Sequence, residues 1–223
     1  MIVKDNSLEN SLYKEVLDDD LFFPKLMNDG EKIAEHLNLY HSEKSDCFAP
    51  YMFWDGWWRS PANTLKKRVI QHLWEDKMKW DLEDVLGFEY WTRTYLPGQY
   101  LDIHVDEDTF LYEKDKIFIG PVYGCVFYGE DNPDGGFLEI HKNKLKDGEK
   151  NILEKKYIKK YISFKKDRER ISYKGNRSVF FDAGHIIHNT VGSNSGIRQV
   201  MVVNIWHKNN PPYALENGNF YEE

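Results

Sequence analysis

Apolar and polar positions follow two different patterns along the 223 residues. Up to about residue 85 the apolar side chains recur at helical spacing or in clusters, which predicts helices and loops. Asp29-Gly30 followed by Glu31-Lys32-Ile33-Ala34-Glu35-His36-Leu37 reads as a capped helix. Asn63-Thr64-Leu65 opens a longer one, with Leu65, Val69, Leu73 and Met78 on one face that would cover a sheet. From Phe88 the period becomes two. Phe88 to Tyr95 alternates, Pro97-Gly98 turns the chain, and Leu101, Ile103 and Val105 then alternate with Asp102, His104 and Asp106. Val122–Tyr128, Phe137–His141, Ser178–Phe181 and Arg198–His207 supply further strands, with a turn at 131–136. Short strands without helical crossovers predict an antiparallel sandwich or barrel, mainly β with flanking helices. The tail after Asn209-Asn210-Pro211-Pro212 reads as a peripheral segment.

Composition narrows the class. A chain 41% apolar and 15% aromatic can build a core, and this length fits one domain. The net charge of −7 argues against a surface that seeks nucleic acid throughout. One stretch departs from that balance: residues 142–174 hold 13 Lys/Arg against 5 Asp/Glu, a local charge of +8, and read as a solvated insertion with Tyr157, Ile158, Tyr161 and Ile162 inward. Docking of an acidic partner is the sharper reading of the same stretch. Tyr51-Met52-Phe53-Trp54-Asp55-Gly56-Trp57-Trp58 has two readings as well, a cluster sealing helices onto the sheet or an aromatic wall for a substrate. Cys47 and Cys125 are far apart and read as free thiols of a reducing compartment. With no apolar signal core and no membrane-length apolar run, the expected location is cytoplasmic.

Candidate chemistry centres on His104 and Asp106. Side chains at i and i+2 leave a strand on one side, so the pair can grip one metal ion. A distant histidine would complete the two-histidine, one-carboxylate facial triad of non-haem iron(II), which leaves three positions open for a chelating 2-oxo acid and dioxygen. Phe180-Phe181-Asp182-Ala183-Gly184-His185-Ile186-Ile187-His188 offers two such histidines, His185 and His188. Arg198 opens the last strand, and an arginine fork meets a carboxylate through two parallel hydrogen bonds. Val200, Val202 and Asn204 share its face, an apolar lining with one amide.

These motifs together resemble the iron(II)/2-oxoglutarate-dependent dioxygenases, in their prolyl 4-hydroxylase-like branch. Tyr95 through Asp106 is similar to that branch's tyrosine, glycine-glutamine-tyrosine and histidine-x-aspartate. Gly135-Gly136-Phe137-Leu138 resembles its paired-glycine turn, and His188 through Gly196 and Arg198 its distal histidine and glycine-x-basic ending. The resemblance spans about residues 88 to 207. It implies a double-stranded β-helix (jelly-roll) core over 86–208, supported by residues 1–85 and interrupted by the insertion at 142–174, all in one dioxygenase domain. It implies His104, Asp106 and His188 as iron ligands, His188 being chosen by its offset from Arg198. Arg198 becomes the 2-oxoglutarate anchor, Tyr95 a second contact to the cosubstrate, and Asn204 part of that pocket. The implied reaction takes Fe(2+), 2-oxoglutarate and O2, with ascorbate as a reductant, and releases succinate and CO2. The implied substrate is a prolyl residue in a peptide, or else a free amino acid or other small molecule. Arg198 stands where animal prolyl 4-hydroxylases carry lysine. Two rivals fare less well. A nucleic-acid demethylase would carry an arginine-x-asparagine-x-threonine-x-arginine strand where this chain has Arg198-Gln199-Val200-Met201-Val202. A non-catalytic binding module would have lost a ligand or the anchor.

Overall fold

The computed structural model describes residues 1–23, 47–48, 51–75, 82–130, 133–144, 168–216 and 220. In chain order its elements are β1 (Ile2–Asp5), α1 (Asn10–Asp18), β2 (Cys47–Phe48), β3 (Met52–Trp54), α2 (Leu65–Trp74), β4 (Val85–Tyr95), β5 (Leu101–His104) and α3 (Thr109–Asp115). They continue with β6 (Tyr123–Tyr128), β7 (Phe137–Lys144), β8 (Arg168–Ser172), β9 (Arg177–Phe181), β10 (Ile186–Val191), β11 (Arg198–His207) and a short α4 (Tyr213–Glu216). Two antiparallel sheets result. The larger runs β1-β9-β6-β11-β4-β2 with β3 also on β4, and the smaller runs β5-β10-β7-β8. This is the jelly-roll arrangement.

Strand alternation separates two packing layers. On β4, β6, β9 and β11, one set of side chains (Phe88, Tyr90, Cys125, Phe127, Phe180, Met201, Val203, Ile205) joins the core formed with α1 and α2. From the helices come Val16, Val69, Ile70, Leu73 and Trp74. Helix α2 starts where Thr64 Oγ1 accepts a hydrogen bond from the Lys67 N–H at 3.3 Å, satisfying an otherwise orphan donor. Trp74 at its end packs edge-on against Phe180 at 5.1 Å. Burying such a ring contributes about 1.5–3 kcal/mol or more from apolar area alone. The opposite face of the large sheet turns toward the small one. Tyr95, Tyr128, Val179, Phe181 and Val200 pack there against Leu138, Ile140 and Ile171.

Several expectations need correction. Residues 1–85 are not all helix and loop: β1, β2 and β3 extend the large sheet, because the edges of β9 and β4 offer unpaired backbone groups. Of the two readings of the aromatic cluster, sealing the core fits Trp54, Trp57 and Trp58, which with Trp74 surround Phe88, while Tyr51 lines the central cavity. The ends of the basic stretch belong to the small sheet, as β7 runs to Lys144 and β8 begins at Arg168. Its middle, with the Tyr157–Ile162 face, lies outside the described residues, as do the helix expected at 31–37 and Met78 on the α2 face. The described part of the tail is not peripheral either. The Tyr213 N–H donates to the Asp108 carboxylate, and Pro212 and Ala214 line the central cavity. Strand β5 stops at His104, so Asp106 lies just beyond it, held by its N–H donating to Ala183 O at 2.9 Å.

Candidate active site

The floor of the site is a grid of cross-strand neighbours on β4, β11 and β6. Its rows are Tyr95–Arg198, Arg93–Val200–Tyr128, Trp91–Val202–Val126 and Glu89–Asn204–Gly124. All but Gly124 line a cavity of about 290 Å³. The small sheet forms the roof: Thr190 pairs with Leu101 and Leu138, and His188 with His104 and Ile140. Thr190 Oγ1 accepts from the Leu101 N–H at 2.7 Å and stands 3.5 Å from the Arg198 guanidinium. The Arg198 end of the floor therefore lies under Thr190, and the Asn204 end under the histidines.

At that second end His104, Asp106 and His188 each direct one ligand atom to a common point, all within 4.8 Å of one another. Asp106 Oδ1 is 3.6 Å from His104 Nε2 and 3.3 Å from His188 Nε2. His188 Nδ1 faces Ile186 O at 2.9 Å, so a proton on Nδ1 leaves the Nε2 lone pair for the shared point. Burial and the neighbouring His104 ring hold the His188 pKa below its ordinary value. Burial opposes the charge of Asp106, but the two histidines outweigh it and keep its carboxyl well below the usual carboxylate range. The donor set is thus one anionic oxygen and two imidazoles, and it fits a divalent transition metal. His185 is turned away, with Nδ1 on Asp182 Oδ1 at 2.6 Å. Phe181 packs edge-on against the His188 ring at 4.8 Å. Gly124 lets Ala183 and Asn204 approach beside Asp106, since a Cβ there would stand 2.6 Å from the Ala183 Cβ and 2.8 Å from Asn204 Oδ1.

At the other end the Arg198 side chain is 2% exposed and lies between two tyrosines, 3.7 Å from the Tyr95 ring and 4.5 Å from that of Tyr173. It donates to the Tyr173 hydroxyl, while its Nε has no acceptor among the described residues. Burial pulls its pKa down, and the neighbouring tyrosines counter that. The Tyr128 hydroxyl, also buried in this end, has no partner among the described residues. Among the described residues no carboxylate meets this desolvated cation, an arrangement that is costly and would favour an anion.

The structure thus brings His104, Asp106 and His188 together and sets Tyr95 against Arg198. Asn204 stands apart from the anchor, six residues along β11, or roughly 20 Å of strand, and beside Asp106. Sequence patterns do not single out three residues of the site: Tyr173, Thr190 and Glu89. Glu89 does carry a usable signal, because Glu89, Trp91, Arg93 and Tyr95 alternate with the core-facing Phe88, Tyr90, Thr92 and Thr94. Its carboxyl is pushed up to about 8, first by burial and then by the charges of Asp106 and Asp108, against the hydrogen bond from Trp206.

No protein-family model and no curated protein matches the chain. Among solved structures, a prolyl hydroxylase from Trichoplax adhaerens, in complex with a hypoxia inducible factor oxygen degradation domain peptide fragment, superposes with a TM-score of 0.54. The match has 12% identity over 93% of this chain and 84% of that one. The two chains share a fold. A Pseudomonas putida prolyl-4-hydroxylase matches 92% of this chain and 90% of its own at 13% identity, with a TM-score of 0.49. A 2OG-Fe(II) oxygenase family structure from Burkholderia pseudomallei matches 68% of this chain and 56% of its own at 9% identity, with a TM-score of 0.39. Within this fold, the His-Asp-His cluster and the buried arginine occupy opposite ends of one cavity. No helix among the described residues is long and apolar enough to cross a membrane.

Proposed function

We propose that the protein is an iron(II)- and 2-oxoglutarate-dependent dioxygenase that hydroxylates a C–H bond. The observation that carries this reading is the buried Arg198, which meets no carboxylate among the described residues, in the same cavity as the His104–Asp106–His188 cluster. His104, Asp106 and His188 would hold the iron, and Arg198 would clamp the far carboxylate of the dicarboxylic cosubstrate. When bound, the iron supplies the oxidative chemistry, in which 2-oxoglutarate and dioxygen become succinate and CO2 while one oxygen atom enters the substrate C–H bond. The chain's own residues bind, orient and exclude water. Tyr95 and Tyr173 keep the planar guanidinium aimed, and Thr190 and Tyr128 offer hydroxyls to the anion. Val200, Val202 and Leu138 line the middle of the cavity and keep water from the reacting groups.

For the substrate, the first reading is a prolyl residue in a peptide, supported by the sequence resemblance and by the peptide bound to the Trichoplax protein of like fold. The second is a free amino acid or other small molecule, favoured by the acidic end of the cavity, where Glu89, Glu107 and Asp108 lie. The test adds iron(II) and 2-oxoglutarate without oxygen and looks for the weak visible charge-transfer band. Oxygen is then admitted with peptides or amino acids, and succinate and a one-oxygen mass gain are measured. Absence of the band, with no succinate, refutes the dioxygenase reading.

A further inference from the structure

The end of the cavity away from Arg198 has chemistry of its own, and the role assigned to it rests on the dioxygenase reading. Glu89 accepts a hydrogen bond from Trp206 Nε1 at 2.9 Å, and the nearby Asn204 amide opposes the rise of its pKa. Among the described residues no cation pairs with it. Asn204, its cross-strand neighbour, is 2% exposed, lines the cavity, and has no donor for its Oδ1 among the described residues. The adjoining row adds Trp91, which meets Tyr51 edge to face at 4.9 Å, and both rings line the same space.

These features ask for one kind of occupant. An enclosed carboxylate needs a positive charge, an orphan amide oxygen needs an N–H, and aromatic faces attract cations. Only an N–H-bearing cation meets all three demands. The position is right for a substrate, because the Asn204 row lies beside Asp106, whose Oδ2 and Asn204 Oδ1 both flank Gly124. We propose that Glu89 is the counter-ion for an ammonium group of the substrate. Asn204 Oδ1 accepts one of its N–H bonds, and Tyr51 and Trp91 wall it. The substrate class is an alkylammonium, whether a free amine or a basic side chain within a peptide. A purely structural Glu89, serving only as partner to Trp206, would give no such preference.

The full chain, loaded with manganese(II) and 2-oxoglutarate, is titrated by calorimetry with two sets of probes. The free set is L-norleucine amide and L-proline amide, each with its neutral N-acetylated form. The peptide set is an acetylated, amidated peptide holding one lysine and its norleucine counterpart. In one set or the other, the cationic probe is expected to bind roughly tenfold or more tightly than its neutral partner. Glu89→Gln, which keeps the shape and an acceptor for Trp206, is expected to remove that preference. Which set responds identifies the source of the ammonium. Equal binding of charged and neutral probes, binding of neither set, or an unchanged preference in Glu89→Gln overturns the proposal. The comparison on the natural protein stands even if the variant fails to fold. Binding of 2-oxoglutarate alone is measured first, so its failure counts against the dioxygenase reading and is separable from failure of the amine assignment.

Discussion

Arg198→Ala isolates the anion end of the cavity. In the ligand-free protein the substitution removes a desolvated charge together with two tyrosine contacts at 3.7 and 4.5 Å. Those contacts contribute about 0.5–2 kcal/mol each, and the desolvation relieved is of similar size and opposite sign. The ligand-free melting temperature should therefore move little. Binding of 2-oxoglutarate should change far more, because its carboxylate would enter the same dry space with no cation. Removing one partner of a buried pair costs about 3–5 kcal/mol, which corresponds to affinity weaker by about a hundredfold to a few thousandfold. At a concentration one hundred times the natural Kd, 2-oxoglutarate stabilises the natural protein by about 2.7 kcal/mol. With affinity reduced about a hundredfold the same concentration yields only about 0.4 kcal/mol. Thermal denaturation with and without 2-oxoglutarate, in the presence of manganese(II), reads the difference directly. Arg198→Lys should retain part of the effect, since the charge survives without the two-pronged geometry. A full 2-oxoglutarate-dependent shift in Arg198→Ala would refute the reasoning.

Three further outcomes are expected. His188→Ala and Asp106→Ala should each abolish tight binding of manganese(II) or iron(II) while His185→Ala leaves it intact, measured by metal titration; the reverse pattern would make His185 the ligand. Gly124→Ala should weaken metal binding and lower the melting temperature, because its Cβ would displace Ala183 and Asn204 beside Asp106; an unchanged metal affinity would show that the close packing there does not matter. Asp5, hydrogen-bonded by Arg177 and Lys174, has its carboxyl held well below the ordinary aspartate value. Its contribution is thus present above the unfolded pKa and lost as pH falls through the folded one. The group is 37% exposed, and solvent screening limits the effect to below about 1 kcal/mol. Denaturant melts of Asp5→Asn against the natural chain should differ by a constant amount above about pH 5 and converge in stronger acid; a gap that widens on acidification would contradict this.

The parts of the fold visible in the sequence are those where burial imposes a period. Phe88–Tyr95 and Arg198–His207 alternate cleanly because one face meets the helices and the other the cavity. The His104/Asp106 pair is legible as a motif, yet alternation alone carries its strand two residues too far, because the turn back to Ala183 depends on a partner far away in sequence. Strand β1 leaves no periodic trace because Ile2 and Val3 stay 51% and 42% exposed at a sheet edge, so little burial marks them. Tyr173 is hidden behind a run of lysines and arginines, although its hydroxyl reaches Arg198, Val191 O and Phe137 O. Glu89 is assigned to the cavity face by the alternation of its strand, but only the register with Asn204 shows which groups it meets there.

That register makes β4 and β11 a molecular ruler. From Tyr95–Arg198 to Glu89–Asn204 the pairing runs without a slip, and the irregularity falls only after Trp206. The span between the anion clamp and the far end of the cavity is therefore set by backbone spacing rather than by any side chain. Inserting or deleting one residue between these rows in either strand would turn every later inward group to the opposite face, so that the two ends no longer share one cavity. Point changes are different. Positions 89, 91, 202 and 204 can exchange chemistry in place without altering the distance to the clamp, so new substrates would be reached by substitution in these rows and not by changes of length.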